Sequence, residues 1–238
     1  MLGGSLSLAW GACDDPPSRA VNWAACDKQG AQLGQAELRD AVLTRSNLSG
    51  ADLRAANLSG SDLGMARLVG ADLRQSILIN ARFTGADLTR ADLAAALMSG
   101  ARLDRARLVG ATLRDANLEQ ARLYDARLEK ADLSGAILKK AHLEQARLGG
   151  ADLSGSDLTG AVLNRAVLEG AVLQGATLEK ARLENALLAG ADLRAADLRG
   201  ANLAGADLTN AQLAGARLGN AIWIDRRRCR PDSIGKCD

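Results

Sequence analysis

From Leu33 to Leu218 every fifth residue is apolar, over 38 positions without one slip in phase. All of these are Leu except Phe83 and Met98. Two residues before each stands a small residue, Ala everywhere but at Ser46, Ser61, Ser76 and Ser156. The residue between is often Asp, Asn or Arg, as in Ala51-Asp52-Leu53 and Ala201-Asn202-Leu203. A strict internal period decides the fold before any other property does. On an α-helix five residues advance about 500°, so the leucines would wind round every side. A plain strand has period two and fails as well. The period fits a short extended piece followed by a corner. The small residue and the Leu point inward, the residue between them points outward, and two further residues turn the chain.

Composition agrees with a narrow core. Aromatic residues are 2% of the chain, too few for a core built around rings. Ala and Leu alternate with charged residues, so the mean hydropathy is −0.06. The net charge of +2 points to neither nucleic acid nor an anionic membrane. No run of 18 apolar residues occurs, so no membrane insertion is expected. Residues Met1 to Ala12 resemble the back end of a secretory signal peptide, with Ser7-Leu8-Ala9 as the cleavage triplet but no basic start. A disordered N-terminus is the other reading of that segment.

The pattern A(D/N)LXX resembles the pentapeptide-repeat family over residues 31–223, about four-fifths of the chain. The resemblance implies an all-β fold, a right-handed quadrilateral β-helix with four pentapeptides per coil and about 9–10 coils. At ~4.8 Å between coils the rod is roughly 45 Å long. Ala lets the backbone corners close, and Leu fills the axis in layers. Each buried Leu contributes roughly 1.5–3 kcal/mol before entropy is subtracted. Each coil touches only its neighbours, so stability is nearly additive along the rod.

The division that follows is a leader and N-terminal cap over 1–30, the β-helix over 31–223, and a C-terminal cap over 224–238. A solenoid must cover the open layer at each end. Trp23 and Trp223 fall in the leucine phase and are the expected covers. Lys28 holds that phase too but is foreign to an apolar axis, so residues 13–30 read as an irregular cap with Trp23 folded over the first coil. The four cysteines, Cys13, Cys26, Cys229 and Cys237, lie only in the flanks. The rod's ends are too far apart for a bridge that needs Cα atoms within about 7 Å. Within one chain that leaves Cys13–Cys26 and Cys229–Cys237, or free thiols; a four-Cys metal site would need a second chain. Two short clasps suit an oxidising compartment, hence a periplasmic or secreted protein, with the cytoplasm as the alternative. The Trp/Cys flanks resemble exported bacterial members of the family.

With 20 residues per coil, outward residues sort by face. One face stacks Asp52, Asp72, Asp92, Asp132, Asp152 and Asp192 beside Arg54, Arg74, Arg114 and Arg194. A second stacks Arg82, Arg102, Arg122, His142 and Arg182, and a third Arg107, Arg127 and Arg147. These ladders read as solvated surfaces of interleaved charge. Exposed apolar residues form the candidate contact patch: Ile77, Ile79 and Leu97, then Val162, Val167 and Leu187 farther along, with the lone Tyr124 as an anchor. No catalytic set, cofactor motif or metal cluster is readable, and the only histidine, His142, sits outward among arginines. No enzyme activity and no cofactor are therefore expected. The expected role is a rigid scaffold that presents flat faces to an unidentified protein, as a monomer rather than an end-to-end homodimer. The alternative implied by the family is DNA mimicry that protects gyrase. B-DNA carries one charge per ~1.7 Å, so a 45 Å mimic needs about 26 negative charges. Residues 31–223 hold 23 basic and 22 acidic side chains, which argues against that role.

Overall fold

The computed structural model describes residues 13–238, so the expected leader at 1–12 lies outside the described residues. The outward residue of each pentapeptide pairs in parallel with the outward residues 20 before and 20 after it, from Asn22↔Val42 to Asn202↔Ile222. Four pentapeptides therefore close one coil, and the coils stack into a four-sided β-helix. Each side is one paired residue between two turns.

The backbone explains the period. In the repeat 127–131 the Leu128 N–H donates to Arg147 O (2.7 Å) and the Lys130 N–H to Gly149 O (3.0 Å), both on the following coil. The Arg127 N–H donates back to Ala106 O (2.9 Å), and the Ala131 N–H closes the corner on Leu128 O (3.0 Å). Four of the five N–H groups in a repeat are thus consumed, three of them between coils. The fifth belongs to the residue after Leu. Where the outward residue is Asp or Asn, its Oδ1 accepts that N–H two residues on, as Asp132 does from Ser134 (3.0 Å) and Asn57 from Ser59 (3.2 Å). The Asp/Asn preference of the repeat is therefore first a backbone cap and only second a surface charge.

Every fifth residue from Ala20 to Asn220 holds a left-handed φ between 53° and 73°. A corner with a Leu C=O to Ala N–H bond and positive φ at its third residue has the form of a type II turn, which favours glycine there. Yet most of these corners carry a side chain, among them Met65, Arg90 and Lys130. A non-glycine residue in this region costs roughly 1–2 kcal/mol. The inter-coil bonds on both sides of each corner hold it there. Gly100 meets two demands: its φ is positive, and any Cβ would strike Asn80 Oδ1 on the preceding coil.

The axis is filled by the leucine layers, with Phe83 and Met98 equally buried. The four serines at alanine positions are also fully buried. Each hydroxyl donates to the Leu carbonyl three residues back, as Ser46 does to Leu43 O at 2.7 Å. A buried hydroxyl satisfied in this way can stand at an alanine position without leaving an unpaired polar atom.

The N-terminal end corrects the sequence reading. An irregular cap over 13–30 does not form, because the regular coil begins at Val21. Trp23 is not folded across the first coil but occupies a leucine position, fully buried, with its N–H donating to Val42 O (2.8 Å). Cys26 takes the alanine position, and Lys28 the next leucine position with its N–H on Asn47 O (2.7 Å). Lys28 is tolerated because it stands in the outermost layer. Its ammonium sits 4.1 Å from the Trp23 ring centroid, a cation–π contact that leaves the stem half-buried. Residues 13–20 then tie down this end. The Trp23 indole N–H donates to Asp15 O (3.2 Å), and Arg19 forks onto Asp40 (3.0 and 3.1 Å). Cys13 and Cys26 form a disulfide with Cα atoms 5.5 Å apart.

At the other end the phase breaks by one residue. Positive φ falls at Arg226 instead of 225, and the chain reverses. The tail runs back antiparallel over the last coil, with pairs Ile222↔Arg228 and Arg217↔Ile234. The disulfide Cys229–Cys237, Cα atoms 4.9 Å apart, closes this tail, and both cysteines are buried. Trp223 is only half-buried.

Candidate interaction surfaces

The four sides differ in what they offer. On the aspartate side the ladder Asp52↔Asp72↔Asp92 is laced by arginines. Arg54 Nη2 lies 2.6 Å from Asp52, and Arg54 Nε lies 3.7 Å from Asp72 one coil on. Arg74 repeats the arrangement with Asp72 and Asp92. The Arg54 guanidinium, helped by the Arg54 backbone N–H, holds Asp52 down to about 2, and Asp72 and Asp192 are lowered by Arg74 and Arg194 in the same way. Thr112 and Val172 interrupt the ladder. These pairs are solvent-facing, so the surface is locally neutralised and each pair adds little stability.

The second side carries Arg82↔Arg102↔Arg122↔His142↔Val162. Asp104, Arg122, Tyr124, His142 and Glu144 line a shallow open groove of about 290 Å³. His142 Nδ1 lies 3.4 Å from Glu144, and the Tyr124 hydroxyl donates to Gln145 (3.1 Å). Tyr124 is therefore a partner within this groove, not part of an apolar patch. The third side runs Arg107↔Arg127↔Arg147 and then turns apolar at Val167↔Leu187.

The fourth side holds the largest uncharged stretch. Ile77 pairs with Leu97, and Ile79 stands beside Ile77; Ile79 and Leu97 are 39% and 43% exposed. Asn57, Ser59, Ser99 and Asn117 frame them on the neighbouring coils, so no formal charge interrupts the side from Asn57 to Asn117. Ile137, one coil beyond Asn117, is also exposed, but Asn117 and Glu119 separate it from Leu97, and Lys139 stands beside it. The sequence reading missed Ile137, although its spacing of 60 residues from Ile77, three whole coils, could have found it.

The candidate contact residues fall on separate sides. Only residues that differ by whole coils stack, so Ile77, Ile79 and Leu97 form one cluster on the fourth side. Val167 and Leu187 form a second on the third side. Val162 stands apart on the second, between His142 and Arg182. Met65, the most exposed apolar side chain of the body at 63%, was also missed: it sits on a corner and lies over Gly85. Among the described residues no group of three or more His, Cys, Asp or Glu is placed to hold a metal ion, and no helix is long and apolar enough to cross a membrane.

Comparison with known proteins places this geometry. The family profile described as pentapeptide repeats matches in 8 copies, over residues 29–64, 66–105, 101–139, 136–175, 151–188 and 186–222. Among solved structures, HetL, a pentapeptide-repeat protein involved in heterocyst differentiation regulation from the cyanobacterium Nostoc sp. strain PCC 7120, is 37% identical. The match covers 88% of this chain and 92% of HetL with a TM-score of 0.69. A trypsin-treated form of QnrB1, a plasmid-mediated fluoroquinolone resistance protein, is 20% identical over 82% of this chain and 90% of its own, with a TM-score of 0.55. No curated protein matches in sequence. The likeness gives the coil its hand: the fold is a right-handed quadrilateral β-helix.

Proposed function

Because the chain belongs to the pentapeptide-repeat family, we propose that it is a rigid, non-enzymatic scaffold whose flat sides receive a protein partner. About ten coils separate Asn22 from Ile222, a rod of roughly 48 Å at ~4.8 Å per coil. Its axis is filled, and its grooves are open and shallow, which supports binding on a face over chemistry in a pocket. The observation that carries this reading is the uncharged, apolar fourth side around Ile77, Ile79 and Leu97, in a chain of which 24% is charged. We place the protein in an oxidising compartment, periplasmic or secreted, on the strength of its two disulfides.

The test is chemical cross-linking in the native cell with the wild-type chain and with the double substitution Ile77→Asp and Leu97→Asp. Both side chains point outward, so the variant should keep its circular dichroism and its unfolding midpoint. Loss of a defined cross-linked partner is the expected result. An unchanged set of partners would remove this side from the proposal. The plasmid-borne neighbour shares the fold at 20% identity and brings no partner with it.

A further inference from the structure

The last coil is covered on only two of its four sides. The tail pairs with residues 216–223, where Ser233 O accepts from Leu218 N–H and Ala221 O accepts from Cys229 N–H. The sides 206–208 and 211–213 receive no inter-coil backbone hydrogen bond from the described residues, although Gly235 of the tail comes up against the end of the second, at Leu213 O and Gly215 N. Elsewhere in the ladder the Leu and corner N–H groups donate to the next coil, and the Ala carbonyls accept from it. Here the N–H groups of Leu208, Asn210 and Leu213 and the carbonyls of Ala206 and Ala211 find no partner among the described residues. Leu208 and Leu213 are also the two repeat leucines that are not buried. Unpaired donors and acceptors above half-covered leucines are a template for one more strand.

Charge narrows what that strand is. The chain reverses at Arg226, beside the open sides, and residues 224–238 carry five basic and three acidic side chains. Arg227 pairs with Asp225 and Lys236 with Asp238. Arg226, Arg228 and Arg230 are exposed and join no ion pair among the described residues. Asp207 on the open side and Asp232 in the tail likewise join no ion pair among the described residues. We propose that this open half-coil is a docking edge for an extended acidic strand of a partner protein, added in register as two further sides. Its inward residues would alternate small and leucine-like, as Ala151-Asp152-Leu153 does within the rod. This edge deepens the scaffold reading but lies apart from the Ile77–Leu97 side, so the two fail independently.

The probe is a fluorescently labelled peptide of three Ala-Asp-Leu-Ser-Gly units, titrated with the full chain and followed by anisotropy. Saturable binding is expected, weakening as salt is raised. Leu208→Asp should reduce affinity at least tenfold with circular dichroism unchanged. The pair Arg226→Glu and Arg228→Glu should reduce it several-fold, whereas Ile77→Asp with Leu97→Asp should leave it alone. Equal binding of an Ala-Lys-Leu-Ser-Gly peptide, or insensitivity to Leu208→Asp, would overturn the proposal. So would sedimentation showing that the chain alone dimerises through these sides.

Discussion

The two ends of the rod solve one problem differently. At the N-terminal end the chain enters in phase. Trp23 stands where a leucine would, Lys28 closes over it, and no repeat leucine of the first coil is more than 6% exposed. At the C-terminal end the chain leaves phase by one residue at Arg226, doubles back, and reaches only half of the layer. Trp223 is left half-buried, and Leu208 and Leu213 half-covered. An end that keeps the period keeps its apolar layer buried, even though the N–H groups of Asn22, Asp27, Gln32 and Glu37 have no backbone partner there among the described residues. An end that breaks the period must cover its layer residue by residue, and residues 224–238 pair with only two of its four sides.

The largest expected contrast is between the two tryptophans. Trp23→Ala should cost about 3–5 kcal/mol, the range for a large buried aromatic, whereas Trp223→Ala should cost less than half of that. Denaturant unfolding measures both, with Leu128→Ala as the reference for the body at about 2–5 kcal/mol. Equal losses at the two tryptophans would break the comparison. Next in size come the clasps. Replacing Cys13 and Cys26 by Ser closes one loop fewer, of 13 residues, and should cost about 3 kcal/mol. Opening Cys229–Cys237 should act locally, speeding exchange of the amides that the tail covers, such as Leu218, while the body's amides keep their protection. The corners sharpen the account of the body between the ends. Ala95→Gly should stabilise by about 1 kcal/mol, because it relieves a left-handed alanine. Gly100→Ala should destabilise, since it meets both its own φ and Asn80.

The smallest effect is on acidification. Asp52 near one end and Asp192 near the other are both lowered by an arginine two residues on, Asp52 to about 2. A carboxyl lowered in the folded state stabilises fully above its unfolded value near 3.9, and that contribution disappears as pH falls through the folded value. Stability should therefore ebb between about pH 4 and pH 2 on account of Asp52, and in the same direction on account of Asp192. Carboxyl titration followed by NMR checks this, and a loss confined to one end would mean that electrostatics, not burial, sets the ends apart.

The repeat was legible because one hydrogen-bonding scheme serves every pentapeptide, so Leu33 to Leu218 declare the axis directly. The disulfide pairs were legible because a rod keeps its ends apart. Other features did not show in the sequence. Lys28 looked foreign to the coil because a leucine phase was read as a need for leucine, when the backbone ladder accepts any residue in the outermost layer. Val162 was grouped with Val167 and Leu187, although a step of five residues sets it on a neighbouring side. Asp52 and its equivalents were read for charge, and their service to the fifth N–H was hidden until the hydrogen bonds were counted.

Amide hydrogen exchange resolved at Leu203, Leu208, Leu213 and Leu218 tests the half-open end most directly. Slow exchange at Leu203 and Leu218, with Leu208 and Leu213 near the rate of an unfolded chain, is the predicted result. Protection of Leu208 and Leu213 equal to that of Leu203 in the isolated monomer would show that the end is closed, and would contradict the account.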